Sequence, residues 1–102
     1  MTQAIADNGV QVLEQTKLAP PSMWNVVIHN DDKTPMEFVI IVLMQIFHKD
    51  AQSATELMLR VHDSGKGVAG TFTKEIATDK KAQTDELSKI NSYPLKTTLE
   101  PN

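Results

Sequence analysis

Residues 23–29, Met-Trp-Asn-Val-Val-Ile-His, are β-branched and aromatic enough to predict a strand. Asn30, Asp31, Asp32 and Lys33 then break it with side chains that favour turns. Phe38 to Met44 is an unbroken apolar run that could by itself be a buried strand or a buried helix. The residues before it decide for a helix. Thr34 at the N-cap, Pro35 as first residue and Glu37 at the third position make a capping box, and Ile46 and Phe47 carry the apolar pattern onward.

Asp50 predicts the start of a second helix running to about Asp63. Its Ala54, Leu57, Met58 and Val61 recur at i, i+3, i+4 and i+7 and share one face. Gly65 and Gly67 are expected to end it. Residues 66–74 suit a strand, 75–90 a more polar third helix, and 94–99 a last strand in which Leu95, Thr97 and Leu99 alternate. The order βααβαβ predicts an α+β fold, a two-layer sandwich with three helices on a small three-stranded sheet. Residues 1–22 lack a clear stripe and close on Ala19-Pro20-Pro21-Ser22, so they are expected to be a flexible N-terminal arm before a domain at 23–102.

With 102 residues there is room for one such domain. Ten Lys/Arg against thirteen Asp/Glu leave a net charge of −3, which provides no electrostatic footprint for nucleic acid or an anionic membrane. The absence of cysteine removes disulfides, thiol catalysis and Cys-ligated zinc. The longest apolar run is too short to span a bilayer, and no signal peptide is visible at the N-terminus. A cytoplasmic location is expected.

Two kinds of chemistry compete for the polar residues. Asp31 and Asp32 with His29, His48 or His62 have the residue types for acid–base work or metal binding, yet no protease, hydrolase or P-loop spacing accompanies them. No enzyme activity, metal or cofactor is therefore expected. Binding is the better reading. Asn30, Asp31 and Asp32 lie at a strand-to-helix junction, and Met58, Val61 and His62 share a face of the second helix. Were they to meet, acceptors would border an apolar hole suited to a ligand with one apolar group beside one cation. The pattern alone leaves open that Met58 and Val61 are simply core and that the acids form a turn.

The stretch Asn30-Asp-Asp-Lys-Thr-Pro-Met-Glu-Phe-Val39 resembles the signature of the ClpS family of Clp protease adaptors. Ala54-Thr-Glu-Leu-Met-Leu-Arg-Val-His62 with Gly65-Lys-Gly67 is similar to its second stretch, and Pro94-Leu95 with Thr98-Leu99-Glu100 to its terminal strand. The likeness covers residues 20–100. It implies an adaptor that binds proteins beginning with Leu, Phe, Tyr or Trp and delivers them to the ClpA unfoldase. Asn30, Asp32 and His62 would bind the free α-amino group, supported by Asp31. Thr34, Met36, Val39, Met58, Val61 and Leu95 would line the side-chain cavity, with Met36 as the gate against β-branched first residues. Glu75 and Lys80 would contact the ClpA N-terminal domain, and the arm would engage the unfoldase during hand-off.

Some positions depart from the family pattern. His29 and Ala69 stand where an aliphatic residue and a cysteine are common, and Lys81 replaces an apolar residue. Ile41 and Met44 take usually polar places. Glu37, Ile41, Met44 and His48 are expected to form one stripe of the first helix, and Ile41 and Met44 on it suggest weak self-association. Two rival readings remain: a structural or assembly domain of similar fold without a pocket, and a metal-dependent enzyme using Asp31, Asp32 and His62.

Overall fold

The computed structural model describes residues 22–102, so the expected arm lies outside the described residues apart from Ser22. The elements follow the expected order: β1 at Met23–His29, α1 at Met36–Gln45, α2 at Ala51–Ser64, β2 at Lys66–Thr73, α3 at Lys74–Ile90 and β3 at Lys96–Pro101. The chain's first described strand is the centre of the sheet, paired antiparallel with β2 on one side and β3 on the other. It is correspondingly the most apolar strand. Val26 and Ile28 belong to the core cluster, and Val27 is also fully buried.

Beneath the sheet lies one core built from Val26 and Ile28 with Phe38, Val42 and Leu43 of α1 and Ala54 and Leu57 of α2. The third helix contributes differently. Its buried positions are Ala77, Thr84 and Ser88, small residues that let the helix come close to the sheet. The Thr84 and Ser88 hydroxyls donate to the carbonyls of Lys80 and Thr84 one turn back, so neither is left unpaired. This explains how a helix of low apolar content can still form a layer of the sandwich.

Three local expectations need correction. The capping box does not form. Pro35 is the N-cap, in extended geometry, and no side chain caps α1; the Thr34 hydroxyl donates to Asp31 instead. The helix also ends earlier than the apolar pattern, at Gln45, with Ile46 and Phe47 buried in the turn that follows. His48 has a positive φ of 59° and so leaves the expected stripe; Ile41 and Met44 remain on the helix, 42% and 39% exposed. Finally, only Gly65 ends α2. It adopts the left-handed conformation, φ 94°, and its N–H donates to the Val61 carbonyl. Gly67 lies inside β2, where its missing side chain matters for another reason taken up below. At the other end of α2 the Asp50 carboxylate accepts from the Ser53 amide at 2.8 Å, the N-cap that the sequence predicts.

Candidate functional site

A cavity of about 230 Å³ opens where β1 runs out. Its lining comes from four parts of the chain. His29 is the last residue of β1, and Asn30, Asp31, Asp32 and Thr34 form the turn that follows. Met36 and Val39 project from the first turns of α1, Met58, Val61 and His62 from the latter half of α2, and Leu95 from just before β3. All ten residues expected at the amino end and the apolar wall of the site meet around this one cavity.

The walls differ in chemistry. Val39, Met58, Val61 and Leu95 are buried and apolar, so they form the floor. Asn30, Asp32 and His62 are exposed and polar, and they form a rim of hydrogen-bonding groups. Met36 is 42% exposed and so stands at the mouth rather than within the floor. Its unbranched, flexible side chain can take several positions there.

Asp31 shapes the rim from within. Its Oδ1 accepts from the amides of Lys33 at 2.8 Å and Thr34 at 2.7 Å, and its Oδ2 accepts from the Thr34 hydroxyl at 2.8 Å. Partial burial disfavours its charge, but these bonds, led by that from the Thr34 hydroxyl and helped by the Lys33 ammonium, outweigh it and hold the carboxyl below its ordinary value of 3.8. The bonds also fix the turn, since the Asn30 N–H donates across to the Gly65 carbonyl at 2.8 Å. With Asp31 engaged, Asp32 is left facing solvent beside Asn30.

A folded-state pKa below the unfolded one stabilises the native state at pH values above the unfolded pKa, and that stabilisation is lost as pH falls through the folded one. Asp31→Asn is therefore expected to lower the urea midpoint at neutral pH. The gap from the parent protein should be constant down to about pH 4 and close as the medium becomes more acid. A gap that stays unchanged to the acid limit would show that the Asp31 charge does not brace the turn.

His29 was absent from the expected lining. It is half-buried, and its Nε2 lies 2.8 Å from the Thr98 hydroxyl of β3. The alternation of β1 would have shown it to lie on the face opposite Ile28, but only the place where the strand stops brings it to the cavity.

Glu75 and Lys80 lie away from the cavity, on α3. Glu75 is exposed in its first turn. Lys80 is half-buried: its Nζ donates to the Ile46 carbonyl at 2.8 Å, lies 3.4 Å from His48 Nε2, and sits 6.0 Å from the centre of the Phe72 ring. This lysine ties α3 to the turn that ends α1, an internal role the sequence did not suggest.

Among the described residues, no group of three or more His, Asp or Glu side chains is arranged to hold a metal ion, and no helix is long and apolar enough to cross a membrane. What fold and site define together is a binding domain with an apolar cavity under a polar rim. The family model described as ATP-dependent Clp protease adaptor protein ClpS matches residues 19–98. The chain is 53% identical over 87 residues to the ClpS adapter protein of Vibrio atlanticus, an alignment covering 85% of this chain and 82% of the relative. It is 50% identical over 92 residues to that of Bdellovibrio bacteriovorus, covering 90% and 79%. A solved structure of Agrobacterium tumefaciens ClpS2 bound to L-phenylalaninamide superposes with a TM-score of 0.79 at 32% identity, over 81% of this chain and 100% of that one. The chain belongs to the ClpS family. It is an adaptor of a Clp protease and not an enzyme.

Proposed function

We propose that this adaptor grips proteins by a bulky hydrophobic first residue, Leu, Phe, Tyr or Trp, and delivers them to a ClpA-type unfoldase in the cytoplasm. The observation that carries the proposal is the cavity itself, apolar at the floor and lined with acceptors at the rim. A protein N-terminus presents that combination in reverse, a cation on the same carbon that carries the side chain. In this reading Asn30, Asp32 and His62 receive the α-ammonium through the Asn oxygen, the carboxylate and a neutral imidazole nitrogen. Asp31 holds their turn in shape. Thr34, Met36, Val39, Met58, Val61 and Leu95 enclose the side chain. The ligand of the Agrobacterium relative, L-phenylalaninamide, has both features and supports the reading.

Magnitudes fit a carrier that must let go. Charge-assisted hydrogen bonds contribute about 1.5–3 kcal/mol each, and burying a Leu or Phe side chain adds about 1.5–3 kcal/mol. After the losses of association these sum to roughly micromolar binding. Titration of short peptides that differ only in their first residue tests the assignment. Leu, Phe, Tyr and Trp are expected to bind and Ser or Glu to fail; affinity independent of the first residue would overturn it.

Met36 is the gate in this proposal. Met36→Ala is expected to widen the mouth and raise the affinity of Ile- and Val-initiated peptides relative to Leu, because the atoms that meet the β-branch are gone. An unchanged Leu-to-Ile ratio would remove Met36 from that role.

Delivery rests on surfaces away from the cavity. Glu75 and Lys80 belong to the unfoldase contact in this reading, and residues before Ser22 take part in the hand-off. Exposed Ile41 and Met44 make a second copy of the chain the expected occupant of the outer face of α1. Sedimentation should detect weak, concentration-dependent association that Ile41→Asp suppresses while peptide binding persists. A strict monomer at high concentration would end that idea.

A further inference from the structure

The third helix keeps an apolar flank that the rest of the domain leaves open. Its core face is Ala77, Thr84 and Ser88. Ile76, Gln83, Leu87 and Ile90 recur at i, i+7, i+11 and i+14 on a neighbouring flank. Leu87 packs against the core, but Ile76 is 48% and Ile90 68% exposed, Ile90 more than any other large apolar side chain among the described residues. Between this flank and the turn that ends α1 lies a groove of about 290 Å³, lined by Ile46, Gln83, Glu86, Leu87 and Ile90. Lys80, one turn before Gln83, reaches across to the Ile46 carbonyl, so the groove begins beside that bridge. Its outer margin is acidic. Glu75, Asp79 and Glu86 recur at i, i+4 and i+11 and are exposed, and neither ion pair among the described residues involves them. Asp79 accepts from the Gln83 side-chain amide at 2.8 Å, which joins this acid to the groove wall.

We propose that this groove receives an apolar side chain flanked by lysine or arginine on the unfoldase, carrying the contact of Glu75 and Lys80 along α3 as far as Ile90. The inference rests on the unfoldase reading above and extends it to the far half of the helix. Continuity is one reason for it, because the wall that Lys80 holds through the Ile46 carbonyl is also a wall of the groove. Charge is the other. The Lys80 ammonium is turned inward to that carbonyl and lies 6.0 Å from the centre of the Phe72 ring, so the acidic margin is left for a partner's cations. A second copy of the chain would bring a net charge of −3 of its own, and residues 1–21 offer Lys17 against Asp7 and Glu14. A basic partner surface with an aliphatic or aromatic tip matches both the groove and its margin.

The chain has no cysteine, so Lys89→Cys, exposed beside the groove but outside its lining, gives a single attachment point for an environment-sensitive dye. Dye emission of the full-length adaptor is expected to shift blue when an intact ClpA-type unfoldase is added. The affinity read from that titration should fall about tenfold with Ile90→Asp and about threefold with Glu86→Gln, and Glu86→Gln should also flatten its salt dependence. Ile90→Leu should bind as the parent does. A Leu-initiated peptide should bind every variant with the parent's affinity, which shows that the domain and its cavity are intact. Unfoldase binding that Glu75→Ala weakens and Ile90→Asp leaves unchanged overturns the inference while the unfoldase reading stands. A dye shift on raising the adaptor concentration alone gives the groove to a second copy, and a shift on removing residues 1–21 gives it to that segment; either result overturns the inference as well. If the unfoldase does not bind the parent protein, the delivery reading fails and this inference falls with it.

Discussion

Acetylation of the α-amino group is expected to weaken a Phe-initiated peptide by about a hundredfold or more. Acetylation removes the positive charge and puts a methyl-bearing amide where the rim offers acceptors. Each charge-assisted bond lost is worth about 1.5–3 kcal/mol, and two such losses give that factor. The apolar floor contacts are untouched, so the comparison isolates the rim. Asn30→Ala with Asp32→Ala should bring free and acetylated peptides closer together, because of the three rim acceptors only His62 would then remain. These two residues are exposed, so the substitutions are expected to leave the urea midpoint almost where it was. Isothermal titration of both peptides against both proteins measures the effect. Acetylated and free peptides that bind the parent protein equally would end the assignment of the rim.

Gly67→Ala is expected to destabilise the domain and to spoil the cavity at once. Although Gly67 pairs with Ile28 in the sheet, it lies under α2, and a Cβ there would come within 2.8 Å of Val61 Cγ2 and 3.2 Å of Leu57 Cδ1. Neither neighbour is a loose chain end that can simply move aside. Val61 is β-branched and buried, and it forms part of the cavity floor. Overpacking of this kind costs about 1–3 kcal/mol, whereas the stiffer unfolded chain of an alanine variant returns only about 0.4–1 kcal/mol. The clash wins. Thermal unfolding should fall by about 4–8 °C for each kcal/mol lost in a domain of this size. The displaced Val61 should lower the affinity of Phe-initiated peptides more than that of smaller Leu-initiated ones. A variant as stable as the parent, with both affinities intact, would mean that α2 moves away from the strand without difficulty.

Periodicity made the element order and the two-layer architecture readable, because each amphipathic stretch in this chain has a single way to hide its apolar face. Ala54, Leu57, Met58 and Val61 announced the buried face of α2 that the structure has. The start of α1 misled for a reason just as physical. Thr34 has the right spacing to Glu37 for a capping box, but it also lies three residues after Asp31, and the carboxylate took both its amide and its hydroxyl. Sequence spacing cannot rank two partners equally near. Ile46 and Phe47 continued the apolar pattern because burial, not helical geometry, was what they shared with the residues before them. His29 and Gly67 depend on strand pairing over long separations, which periodicity does not report. Lys80 is similar, since its carbonyl partner is 34 residues away.

The contiguous signature at 30–39 holds a whole acidic turn and the first residues of α1, yet it is not a portable motif. Its turn is pinned to Gly65, and the strand that presents it is sandwiched between 66–73 and 96–101, with Trp24 paired to Phe72 and to Pro101. Leu95 closes the floor from a position just before the last strand. No excised loop or peptide copied from residues 30–39 contains the cavity, and a graft onto another scaffold would need the central strand and both its neighbours to come with it.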